Sequence, residues 1–233
     1  MKKIKFKAIS KKWHNIIPKP LPSKKSNKPD WWKKLPIHYP ENTLKVTTNR
    51  TNYTMKKCIP MQDAMEVGYM VQTFADVFLE QTDESFNITW RTEVDVFENH
   101  TIATTLMDAP FGYHDLVVKY NFAMTVHTPK GYSLLVVPPL LHNNLPFVAV
   151  PALIDTDNYS VNYALPVWVS KSHSGIISKD TPLAQLIPIK RTDFVSTYSH
   201  HDLEKYILEQ EINHNKLIKN NYALNYHKKK KYE

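Results

Sequence analysis

The run Leu153-Ile154-Asp155-Thr156-Asp157-Asn158-Tyr159 places two carboxylates two residues apart. On an extended strand, residues at that spacing face the same side. Asp155 and Asp157 can therefore share one hard cation, or one of them can act as a general base. The run also suits a turn at a strand end, because Asp and Asn side chains hydrogen-bond their own backbone. The turn reading carries the greater weight.

Other clusters offer less. In His200-His201-Asp202 the adjacent imidazoles, if helical, point about 100° apart, and no third ligand stands at a helical offset. Polarity at a helix N-terminus explains them better. His114 and His127 flank the best strand pattern and His142 follows Pro138-Pro139; each reads as a rim or surface residue. Cys58 is the only cysteine. It excludes an intrachain disulfide and, without a His or Asp in a nucleophile pattern, reads as a structural thiol. No P-loop, GxGxxG, GxSxG, HExxH or CxxC pair occurs, so the enzyme classes those motifs mark are not signalled. Trp31-Trp32-Lys33-Lys34 pairs indoles with ammonium groups, which suits a partner surface, a lipid interface or base stacking. The competing reading, that the indoles fasten the chain to its own domain, is preferred. Adjacent side chains make no broad stacking platform.

The elements that must position these groups are mostly strands. Val118, Tyr120, Phe122, Met124 and Val126 alternate with Val117, Lys119, Asn121, Ala123 and Thr125, which predicts one half-buried strand over 116–126. Thr128-Pro129-Lys130-Gly131 is a turn, and 132–137 the next strand, stopped by Pro138-Pro139. Further strands are expected over 69–80 and 84–99, joined by a hairpin turn, with Phe86, Ile88, Trp90 and Thr92 on one face. Thr43 to Thr48 reads as another strand. Several more fill 147–189. A short helix is expected from Ile59 to near Gly68. Ser199 can cap a C-terminal helix starting at His200 and ending near Asn220-Asn221, with Leu203, Tyr206, Ile207 and Leu208 supplying an apolar face.

Composition sets the outline. The 233 residues carry a net charge of +8, four Gly and sixteen Pro. Twelve Lys fall in residues 1–34 against Asp30 alone, and Lys228 to Lys231 follow near the C-terminus. Such ends attract phosphate polymers, acidic proteins or anionic lipid, or serve as solvated tails. The division expected is a basic flexible arm over 1–30, one β-rich domain over 31–195, a C-terminal helix over 196–221 and a basic tail over 222–233. Residues 1–17 hold no apolar stretch of signal-peptide length, and no run approaches the roughly 18 apolar residues of a membrane span. Host cytoplasm or a virion is the expected location.

Residues 113–190 resemble the trimeric dUTPase and dCTP deaminase fold. Leu153 to Tyr159 is similar to that family's Gly-Val-Ile-Asp-x-Asp-Tyr-Arg-Gly motif, and Ile177 to Leu186 is similar to its closing Pro-Gly-x-x-Ile-Ala-Gln-Leu strand. The resemblance implies a β-sandwich or jelly-roll-like core, a water-activating Asp155 or Asp157, Tyr159 packed on a ligand and Gln185 nearby. The family's phosphate-binding Arg-Ser-Ser is replaced by Pro138-Pro139-Leu140-Leu141, and its glycines by Ala152 and Asp180. Phosphate chemistry needs a cationic clamp or a backbone nest, and these changes remove most of it. Over 29–191 the chain is also similar to an uncharacterised family of marine tailed phages and some bacteria.

The reading that follows is a mainly β, dUTPase-like module with a short N-terminal helix and a C-terminal helix. It is phage-encoded and leans away from catalysis, binding or assembling through its ends. The partners implied are a second copy, a virion component or nucleic acid, and no cofactor is implied. Two alternatives remain open: a nucleotide-processing hydrolase using Asp155 and Asp157, with magnesium, and a nucleic-acid-binding protein acting through the basic arm.

Overall fold

The structure, a computed structural model, describes residues 2–38, 53–98, 105–159, 164–217 and 222–233. Among the described residues fourteen strands occur: β1 Lys5–Ala8, β2 Leu21–Pro22, β3 Tyr69–Gln72, β4 Val77–Gln81, β5 Phe86–Trp90, β6 Thr105–Leu106, β7 Tyr113–Asn121, β8 Met124–His127, β9 Tyr132–Val137, β10 Phe147–Ala149, β11 Ala152–Ile154, β12 Ala164–Ser170, β13 Gly175–Ile177 and β14 Pro182–Lys190. The helices are α1 Lys11–Ile16, α2 Asp30–Lys34, α3 Ile59–Glu66 and α4 Leu203–Leu217. The protein is mainly β with a C-terminal helix, as its patterning predicts.

Two compact units divide the chain. One comprises Met1–Pro29, Ala64–Arg191 and Tyr232–Glu233 and holds the fourteen named strands; the other comprises Asp30–Asp63 and Thr192–Lys231. In the first unit the sheets run β11-β9-β14-β3-β2, β10-β12-β7-β6, β13-β4-β5 and β1-β8. Every named strand pair is antiparallel. Their inward residues meet in one apolar cluster that includes Leu79, Tyr120, Val126, Phe147, Val167 and Leu186. In the second unit, the Asp63 carboxylate bonds His227 Nε2 at 3.0 Å and also pairs with Lys230.

β14 is the central strand of the five-stranded sheet, and Leu183 through Leu186 are buried in succession. That explains a run with no polar alternation: both faces are covered. Gly68 precedes β3 at φ +71°, and a Cβ there would lie 2.1 Å from the Leu186 carbonyl oxygen. Only glycine allows that approach of β3 to β14.

Five expectations are corrected. Residues 1–30 are not a free arm. β1 pairs with β8 over four residues, β2 pairs with β3, Ile17 is buried, and Ile4, Phe6, Trp13 and Ile16 pack on the core. Ten lysines within 1–29 disguised an alternating strand: Lys5 and Lys7 face out while Phe6 and Ala8 turn in.

The strand expected over 69–80 is two strands in different sheets. Thr73 breaks it by bonding elsewhere. Its N–H donates to Thr181 O, its carbonyl accepts from Asp180 N, and the Phe74 N–H donates to Tyr120 Oη. The second expected strand, over 84–99, is among the described residues strand only at Phe86–Trp90, where 86, 88 and 90 do share the more buried face.

The strand expected over 116–126 breaks at Ala123, whose φ is +48°. Phe122 and Ala123 are both buried, so the alternation fails where the chain leaves β12 for β1. The C-terminal helix begins at Leu203 and not at His200. Asp202 caps it, accepting from Lys205 N at 3.0 Å, and its negative charge suits the helix N-terminus. The strand expected over 43–48 and the helix end expected at 220–221 lie outside the described residues.

Candidate functional site

Asp155 and Asp157 follow β11 and lie in a turn, with Asn158 N and Tyr159 N both donating to Asp155 O at 3.1 and 2.9 Å. Thr156 between them is buried, and its hydroxyl meets that of Thr128 at 2.7 Å. With Thr156 held inward, both carboxylates face the other way, and they converge on Arg191. One guanidinium nitrogen lies 3.1 Å from Asp155 Oδ1 and 2.9 Å from Asp157 Oδ1; the second bonds Asp157 Oδ2. Ser133 Oγ donates to Asp155 Oδ1 at 2.6 Å and Gly131 N donates to Asp157 Oδ2 at 2.8 Å. The Asp157 side chain is 3% exposed.

The Arg191 guanidinium, aided by the Gly131 N–H, holds the Asp157 carboxyl below its usual range. The charge a divalent cation would supply is already present, so the donor set does not fit magnesium. Asp157 is not poised as a base for water, since both of its oxygens already accept from Arg191 or Gly131. Among the described residues no group of three His, Cys, Asp or Glu could hold a metal.

Tyr159 is exposed, on the same turn. Gln185 is not with it. Gln185 is 0% exposed at the centre of the five-stranded sheet, its Nε2 donating to Ala64 O and Val67 O and its Oε1 accepting from Leu140 N. All of its heteroatoms are committed to fastening the end of α3 and the 138–141 loop, so it is a structural amide and not a ligand contact.

Trp31 and Trp32 lie in α2 with their rings at 87°, and Trp32 is 7% exposed. Perpendicular rings, one of them buried, form no stacking platform. Lys33 pairs with Asp30 at 3.1 Å, and Lys56 Nζ bonds the Lys33 and Leu35 carbonyls. Lys34 is exposed.

Sequence reasoning missed Arg191, Ser133 and Gly131. Their one signal was an uncompensated acid pair, which requires a counter-charge but does not say where it lies. The β14–β9 register supplies it: Lys190 pairs with Tyr132, so Arg191 falls beside Gly131 and donates its N–H to Gly131 O at 2.9 Å.

A second feature was also missed. A cleft of about 600 Å³ is bordered by Gln81 to Ser85, His114 to Leu116 and Lys171. Gln81 Nε2 donates to Ser170 O and His173 O, which aims its Oε1 at His114 Nε2, 2.8 Å away. That network assigns the proton to Nε2 and leaves Nδ1 as an acceptor. Burial lowers the His114 pKa, and the nearby Lys171 charge adds to the effect.

Among the described residues no helix is long and apolar enough to cross a membrane. No family model matches the chain, and no curated protein does. Two solved structures are similar over 86% of the chain, both dUTPases of phage phi11 of S. aureus, one of them a point mutant. Each is 12% identical, with TM-scores of 0.34 and 0.32 and coverage of 98% and 99% of the other chain. At these values the likeness carries no argument about this chain.

Proposed function

We propose that the chain is a non-enzymatic, phage-encoded module that self-associates through its C-terminal segment. The observation that carries this reading is a continuous exposed stretch: every residue from Thr192 to Ile212 is exposed, with Phe194 at 88% and Val195 at 91%. Tyr198, Leu203, Tyr206, Ile207, Leu208 and Ile212 add to it. On α4, Leu203, Tyr206 and Ile207 lie within a stripe about 100° wide, and Leu208 with Ile212 makes a second stripe opposite. A helix apolar on two sides is suited to burial between partners.

The three aromatic rings alone expose on the order of 450 Å², taking about 200 Å² for a whole ring. That is about half of the roughly 800 Å² each partner buries in a standard interface. Engagement of Asp155 and Asp157 by Arg191 weighs against the hydrolase alternative.

Gel filtration with light scattering tests the reading. The full chain at about 50 µM should run as a closed oligomer of copies, and Leu203→Ser/Tyr206→Ser/Ile207→Ser should run as a folded monomer. A monomeric wild type overturns it. So does nucleotide turnover with magnesium that Asp155→Asn abolishes.

A further inference from the structure

We infer that the N-terminal strand presents a fixed lysine row that binds the phosphate backbone of nucleic acid without regard to sequence. Residues 1–29 hold ten Lys and no Asp or Glu. The structure gives those charges positions. Ile4 and Phe6 turn toward the core, so Lys3, Lys5 and Lys7 alternate outward at steps of about 6.8 Å. The β1–β8 register puts His127 opposite Lys5 and Thr125 opposite Lys7, so the paired strand brings no carboxylate to that face. On the other face of the same ladder, Met124 and Val126 are buried, which locks the lysines outward.

Ion pairs consume little of this charge. Lys12 reaches Glu93 at 3.8 Å and Lys28 reaches Glu66 at 3.0 Å. Among the described residues no carboxylate lies within salt-bridge distance of Lys3, Lys5, Lys7 or Lys11. Lys2, at the head of the row, lies over the Tyr132 ring at 4.5 Å, which holds that end against β9.

The partner follows from what the face lacks. An anionic membrane surface needs several apolar side chains to enter the interface beside the lysines, but Ile4 and Phe6 between them point inward and only Ile9, past the end of the strand, is exposed. Stacking on bases needs exposed rings, and the row has none. What remains is a rigid line of point charges, which matches a polyphosphate chain and carries no base readout. Because the strand is already ordered, binding incurs little backbone entropy. The inference rests on residues distinct from the C-terminal segment, and either can fail without the other.

The test is fluorescence anisotropy with labelled random-sequence 20-mers, single-stranded and duplex, titrated with the full chain from 50 to 300 mM NaCl. Each lysine–phosphate contact contributes about 0.7 to the slope of log K on log salt for single strands and about 0.9 for duplex. Lys3→Gln/Lys5→Gln/Lys7→Gln should therefore flatten the slope by about 2–3 and weaken binding about a hundredfold at 0.1 M salt. Lys19→Gln/Lys24→Gln/Lys25→Gln removes the same charge elsewhere and should flatten it by less than half as much. Circular dichroism and thermal melting verify that both variants keep the fold. Equal losses from the two triples overturn the row in favour of net charge alone. An unchanged slope in the first triple, or tighter binding to phosphatidylserine vesicles than to either nucleic acid, overturns it outright.

Discussion

Replacing Gln185 with Met keeps the side-chain volume and removes both polar atoms from a position with no access to water. Three groups then lose a partner: the Leu140 N–H, and the Ala64 and Val67 carbonyls, bonded at 3.0, 3.0 and 2.6 Å. An orphaned buried group costs about 1–3 kcal/mol. Three losses near the low end, offset by about 1 kcal/mol from extra apolar burial, leave about 2–4 kcal/mol of destabilisation. With a urea dependence of about 2 kcal/mol per molar, the midpoint should fall by about 1–2 M, read by tryptophan fluorescence at pH 7.

Gln185→Glu sharpens the argument. It retains an acceptor for Leu140 but sets a second oxygen against two carbonyls in a buried site. Burial and those lone pairs raise the introduced carboxyl's pKa in the folded state. A raised pKa gives stability that is complete below the unfolded value of about 4.3 and lost as pH rises through the folded value. The variant should be nearest to wild type at about pH 4 and weaken toward pH 8, while the Met variant keeps a constant deficit. A Met deficit below about 1 kcal/mol, or a Glu variant that gains stability with rising pH, would refute the assignment of Gln185 as a three-bond lock.

Two further outcomes follow from the charged groups. Asp157 is held below the usual carboxyl range by Arg191 and the Gly131 N–H, so its stabilising contribution is present above about pH 3.9 and lost as pH falls through the lower folded value. Asp157→Asn should therefore flatten the acid limb of Tm against pH below about pH 4, and an unaltered limb counts against the pairing. His114 should titrate below the ordinary histidine value by NMR, first because of burial and then because of Lys171. Lys171→Met should move it upward but not fully to 6.5, and a downward shift would contradict the placement of that charge.

Strand content was legible because period-two alternation and β-branched enrichment are local properties. β9 comes from such a signal, and the 128–131 turn, the hairpin at 82–85 and the helix after Ile59 come from equally local turn and Pro signals. The breaks at Thr73 and Ala123 were not legible, because each occurs where a strand changes partners, and a partner far along the chain leaves no mark on local periodicity. The lysine-rich N-terminus misled for a related reason. Composition over 30 residues outweighed an alternation only four residues long, and it was pairing with β8 that decided the matter.

The candidate site divides along the same line. By itself the sequence determined that two carboxylates would stand two residues apart at a strand end, in a run suited to a turn. It also placed Leu183-Ala184-Gln185-Leu186 among the strands of 147–189. Only the tertiary structure decided what those carboxylates meet. The β14–β9 register brings Arg191 between the two carboxylates, and the same sheet turns Gln185 away from them toward the end of α3. Residue type sets what a side chain can bond, but register sets which partner is within reach, and register is a property of the folded sheet.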